Sequence, residues 1–142
     1  MTRFDIAATT AIIGGVIAGI FGGWSGDILA LIIFMTIDFI TGICVAAFWR
    51  KSKKSKYGAL SSKECIKGII KKCSILLIVI CAHYVDVLLD TTYIRNAVII
   101  GFCASELISI MENTALMNIL PEPVQKIFNK VIDVMKNEQT KR

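Results

Sequence analysis

Residues 28–72, ILALIIFMTIDFITGICVAAFWRKSKKSKYGALSSKECIKGIIKK, decide the architecture, because a long apolar run ends there in a block of positive charge. From Ile28 to Trp49 the only charged side chain is Asp38. A hydrocarbon core of ~30 Å, at ~1.5 Å of helix per residue, needs about 20 residues, and this run is long enough. It leaves through Trp49-Arg50-Lys51, an aromatic ring followed by cations, the order expected at a membrane–water boundary. Arg50, Lys51, Lys53, Lys54, Lys56, Lys63, Lys67, Lys71 and Lys72 then stand against Glu64 alone, although the whole chain carries only +5. A basic loop between two apolar stretches is retained on the cytoplasmic side. The same placement argues against nucleic acid as the partner.

Working outward from that stretch, the chain is all-α with four membrane spans. Its 142 residues are 55% hydrophobic and only 19% charged, and no charge interrupts Ile6 to Gly26. Such a run has no polar face for a soluble surface helix. It is followed at once by a second span and lacks a small-residue cleavage site, so it reads as a retained helix, not a signal peptide. The spans fall at about 6–24, 28–49, 73–89 and 96–113, within a transmembrane domain of residues 1–120. Four spans with the 50–72 loop inside put both termini in the cytoplasm, leaving Arg95 as the only basic residue of either outer turn.

Two amphipathic helices accompany the spans. Ser61-Ser62-Lys63-Glu64 has the spacing of a capping box. Ile66, Ile69, Ile70 and Cys73 follow at helical intervals, with Lys63, Lys67 and Lys71 on another face. This predicts a helix lying among the headgroups, with Lys72 beside it, its lysines reaching outward before the chain enters the membrane. After Pro121-Glu122-Pro123, the residues Val124, Ile127, Phe128, Val131, Ile132 and Met135 repeat with helical period. Residues 121–142 therefore read as a cytoplasmic amphipathic helix with a polar tail, its Lys126, Lys130 and Lys136 suited to an anionic bilayer.

Polar residues inside the spans carry the functional information. In span one, Ala7, Ala11, Gly15, Gly19 and Gly23 recur every four residues, a stripe that lets two backbones approach closely. Its partner is either another span of the same chain or another subunit. A carboxylate near the bilayer centre costs about 2.5–3.5 kcal/mol on insertion scales, so it faces protein or water. Asp38 is the deepest, with Thr41 one turn on. His83 and Asp86 lie three apart in span three, and Glu106, Ser109 and Asn113 share a face of span four, with Glu112 immediately before Asn113. These groups are either interhelical hydrogen-bonding partners or the lining of a water path.

Neither an enzyme nor a metal site is indicated. The sequence shows no nucleophile–base spacing and no phosphate-cradling glycine loop. Its five cysteines form no CxxC pair and there is a single histidine, so no cofactor is expected.

Asp38-Phe39-Ile40-Thr41-Gly42, Ser61-Ser62-Lys63 leading into Lys67-Gly68-Ile69-Ile70-Lys71-Lys72, Glu106-x-x-Ser109-Ile110-x-Glu112-Asn113, and Leu120-Pro121-x-Pro123 occur in that order. Together they resemble the toxin-secretion/phage-lysis holins, or phage holin family 4, a group that includes the clostridial toxin-export holin. Met117-Asn118-Ile119 departs from the pattern, standing where relatives often have a glycine before the prolines. The resemblance implies a phage or prophage protein of the bacterial cytoplasmic membrane. Such a protein forms homo-oligomers in the bilayer and opens lesions that release an endolysin or a large toxin, with no direct contact required. Two other classes fit the size: a four-span proton-coupled exporter, which would centre on an acidic residue that span one lacks, and a non-conducting antiholin or scaffold.

Overall fold

The structure is a computed structural model that describes residues 2–51 and 59–140. Lys53, Lys54 and Lys56 of the basic loop, the side chains of Val131, Ile132, Met135 and Lys136, and residues 141–142 lie outside the described residues. Among the described residues five α-helices follow in order: α1 Arg3–Ile20, α2 Gly26–Cys44, α3 Ser62–Leu89, α4 Ile94–Leu116 and α5 Glu122–Thr140. A π-turn, Val45–Trp49, prolongs α2, and there is no strand among the described residues. Four of the helices, counting α2 with its π-turn, are long and apolar enough to cross a membrane.

α2, α3 and α4 pack as a three-helix bundle, with α4 between the other two. On α2 and α3 the inward residues recur at alternating intervals of three and four: Ile28, Leu31, Met35 and Asp38 line α2, and Ile75, Val79, Ala82 and Asp86 line α3. On α4 the buried residues are Arg95, Ile99, Glu106 and Met111. A repeat near 3.5 residues keeps one seam facing its neighbours along a whole helix. Ile28, Leu31, Met35, Ile75, Val79 and Ile99 form the apolar centre. The outward faces are apolar too, with Ile33, Ile37, Ile40, Leu77, Ile78 and Ile100 exposed. In water this distribution would be unstable; in lipid it leaves the few polar groups to turn inward.

α1 has no buried residue. It begins three residues before the predicted span, where Thr2 and Asp5 form a capping box that the sequence reading did not anticipate. It ends at Ile20, so Gly22 and Gly23 belong to a turn and the predicted stripe loses its last member. The Gly23 amide bonds Ala18 O and the Gly22 amide bonds Gly19 O. This Schellman closure needs positive φ, and Gly22 and Gly23 adopt 76° and 97°. α4 ends the same way with Asn118 at φ 55°. Asn is among the few side chains that tolerate this region, so Asn118 fills a position where helix ends commonly use glycine.

Two further expectations change. The headgroup helix and span three are one helix, α3, of 28 residues. The Ser61 side chain makes no capping bond, and the Glu64 carboxylate pairs with Lys67 Nζ at 2.9 Å.

Candidate functional site

The polar groups of the bundle collect at two levels, with the apolar centre between them. At the level nearer the basic loop, Lys72 of α3 reaches between α2 and α4. Its ammonium donates to Asp38 Oδ2 at 2.8 Å and to Glu106 Oε2. The side chains of Lys72, Asp38 and Glu106 are 15%, 8% and 1% exposed, so this is a buried cluster of one cation and two acids. α4 adds a second tie: Asn113 Nδ2 donates to Asp38 Oδ1 at 3.2 Å and to Thr41 Oγ1 at 3.1 Å. The Thr41 hydroxyl donates in turn to Asp38 O. All three helices of the bundle thus meet on one cluster.

Lys72 is the residue that sequence reasoning placed differently. Grouped with Lys63, Lys67 and Lys71 as a surface cation, it instead turns inward, while those three are exposed. The signal was present: Lys72 lies three residues before Ile75 and seven before Val79, on the buried seam of α3. A mid-span carboxylate also needs a cation or donor within reach.

Between this cluster and the basic-loop end lies a cavity of about 240 Å³. Asp38 and Lys72 contribute to its lining, as do Ser109 and Asn113 from α4, while Lys67, Lys71 and Glu112 on its wall are exposed. The Phe39 ring lies beside Gly68 of α3, at 3.6 Å from where a Cβ would stand, an ordinary packing distance.

The second level is at the opposite end. Asp86 closes the α3–α4 turn, accepting from the Thr91 hydroxyl at 2.5 Å and from the amides of Ile94 at 3.1 Å and Arg95 at 2.8 Å. A carboxylate on the first amides of α4 meets the positive end of its dipole. The buried Arg95 guanidinium crosses to the α1–α2 turn, donating to Ser25 Oγ at 2.8 Å and Gly23 O at 3.3 Å, with Asp27 at 3.8 Å. His83 does not hydrogen-bond Asp86. It packs beside Tyr84, ring centroids 5.2 Å apart, and closes against Gly22, where any Cβ would run into the imidazole.

The structure therefore brings together Asp38, Thr41, Glu106 and Asn113, with Ser109 beside them, and places Asp86 and His83 in a separate group some four helical turns away. Arg95, noted in sequence only as an outer charge, fastens that second group. Ala7, Ala11, Gly15 and Gly19 remain exposed on α1, with nothing within 4 Å of a Cβ at Gly15 or Gly19. No grouping of three metal-binding side chains occurs among the described residues.

Residues 15–137 match the sequence profile of the bacteriophage holin family. An uncharacterized protein of Listeria monocytogenes is 33% identical over 130 residues, covering 91% of this chain and 87% of its own. An uncharacterized 14.9 kDa protein from the nagH 3' region of Clostridium perfringens is 31% identical over 122 residues, covering 84% and 86%. One from Halalkalibacterium halodurans is 26% identical over 139 residues, covering 94% and 95%. No solved structure matches the chain.

Proposed function

Because the chain belongs to the bacteriophage holin family and is a multi-pass membrane protein of non-enzymatic type, we propose that it acts as a holin. It accumulates in the bacterial cytoplasmic membrane with both termini and the 50–72 loop inside. Copies associate and open lesions through which an endolysin, or a large toxin, leaves the cell. The observation that carries this reading is the family match over residues 15–137, which includes the whole polar interior of the bundle.

The geometry supports the role in a specific way. A holin has to be stable in lipid as a closed unit and yet hold polar surface in reserve. Here Asp38, Lys72, Glu106 and Asn113 are turned inward and bonded to one another. α1, with open space beside Gly14, Gly15 and Gly19, offers a face for close helix association. The exposed lysines of α3 and of α5, among them Lys126 and Lys130, suit the anionic inner leaflet.

The test is induced expression in a bacterium, with membrane potential and release of a cytoplasmic enzyme recorded together. Abrupt depolarisation with leakage of the enzyme is the expected result. Slow efflux of small cations at constant potential would point to the exporter instead. No change in either would leave the antiholin or scaffold reading.

A further inference from the structure

The cavity of about 240 Å³ beside Lys72 has a feature that the holin reading does not use: it runs from exposed side chains to buried ones. Lys67, Lys71 and Glu112 are exposed, whereas Asp38 at its deep end is 6% exposed. A volume of this size, with several hydrogen-bonding side chains around it, holds several water molecules, whereas cavities that stay dry are lined by apolar groups alone. Beyond the Asp38 level the lining changes completely. Ile28, Leu31, Met35, Ile75, Val79 and Ile99 fill the interior, four of them at 0% exposure. Ten residues separate Asp38 from Ile28 on α2, about 15 Å at the helical rise.

We infer that the cavity is an aqueous vestibule, open to the basic-loop side and ending on the Asp38–Lys72–Glu106 cluster, and that the closed bundle is dry only across the apolar plug beneath it. Water therefore reaches the cluster from one face of the membrane alone. The dry length inside the bundle is about half of a ~30 Å hydrocarbon core. Any rearrangement that connects the two sides has to displace this plug and the Asp86–Arg95 level beyond it, while the polar stretch on the basic-loop side is already built. The inference concerns the closed molecule and does not depend on what the protein releases.

Site-directed thiol labelling tests it in untriggered membranes, separately from any lysis assay. In the full chain with all native cysteines replaced by alanine, single cysteines are placed at Ser109 (vestibule), Val79 (plug) and Lys63. Labelling of the exposed Lys63→Cys defines the basic-loop face whatever the orientation. A variant that keeps only native Cys65, another lining residue, introduces no new side chain and guards against misfolding at Ser109. A small, membrane-impermeant thiol reagent is added to each face in turn, and integration is verified by resistance to alkaline extraction.

Cys65 and Ser109→Cys are expected to react from the same face as Lys63→Cys, within about tenfold of its rate. Val79→Cys is expected to react at least about a hundredfold more slowly from either face, because the thiolate is the nucleophile and a dry apolar site suppresses it. Filling the vestibule with Gly42→Leu should abolish labelling of Ser109→Cys while leaving Lys63→Cys unchanged. Silence of Cys65 and Ser109→Cys on the Lys63 face, labelling of them from the opposite face, or ready labelling of Val79→Cys would each overturn the inference.

Discussion

Replacing Lys72 by methionine removes the one cation from a cluster that also holds two carboxylates, while keeping a side chain of similar length. The three side chains are 15%, 8% and 1% exposed, so the cluster lies nearer the buried regime than the surface one, with Lys72 its most accessible member. With all three groups ionised the cluster carries −1; Lys72→Met makes it −2, whereas Glu106→Gln makes it neutral and leaves the 2.8 Å Lys72–Asp38 pair intact. Removing one member of a buried ion pair costs about 3–5 kcal/mol. Trading a charged for a neutral hydrogen-bonding partner costs about 1–1.5 kcal/mol. Lys72→Met should therefore destabilise the bundle at least twice as much as Glu106→Gln. The triple variant Lys72→Met, Asp38→Asn, Glu106→Gln should recover most of the loss. Unfolding by a rising fraction of denaturing detergent in mixed micelles, read by the fluorescence of Trp24 and Trp49, gives the three free energies. Equal costs for Lys72→Met and Glu106→Gln, or no recovery in the triple variant, would refute the charge argument.

Arg95→Ala should cost about 2–3 kcal/mol in the same assay, since it takes a charged donor from Ser25 and Gly23. Arg95→Lys should not restore it, because one ammonium does not reproduce the guanidinium's planar fork. Gly22→Ala should cost ~1–2 kcal/mol for the positive φ of 76° and more for the collision with His83. A second change, His83→Ala, should relieve the collision and leave the backbone cost. On α1, Gly15→Ala and Gly19→Ala should each stabilise the isolated helix by up to ~1 kcal/mol; if the glycine face joins subunits, chemical cross-linking in membranes should fall at the same time. Retained cross-linking would remove α1 from the association surface.

The spans were legible because the evidence for them is length and charge segregation, both properties of the chain before it folds. Ile28–Trp49 could be nothing but a spanning helix once its single charge was noticed. The shared face of Glu106 and Asn113 was legible from spacing alone. What spacing within one helix does not give is which helix another helix meets. The Lys72 contacts join residues 34 apart to either side, and the Arg95 contact to Ser25 crosses 70 residues. Lys72 was assigned to the surface because the lysines before it are there. Its position on the 72–75–79–82–86 seam outweighs that neighbourhood. At Ser61 the spacing of a capping box is present, yet the serine side chain makes no cap bond and the Glu64 carboxylate pairs with Lys67, three residues on.

The two polar levels differ in what holds them. At the Asp86–Arg95 level, partners are backbone amides, a carbonyl and two hydroxyls at fixed positions in two tight turns, so the groups there are bound by chain geometry as much as by charge. At the Lys72 level the three main partners come from three different helices and are joined only through side chains. Separating α3 from α2 and α4 at this level alone would leave the Asp86–Arg95 turns closed and yet expose Asp38, Glu106 and Lys72 together. In lipid that exposure is opposed by the cost of bare charge; beside water, or beside the same surface of a second copy, most of that cost disappears. The arrangement thus makes the bundle's stability depend on what surrounds it. The Lys72 level, not the Asp86–Arg95 turns, is where a change of surroundings would be felt first.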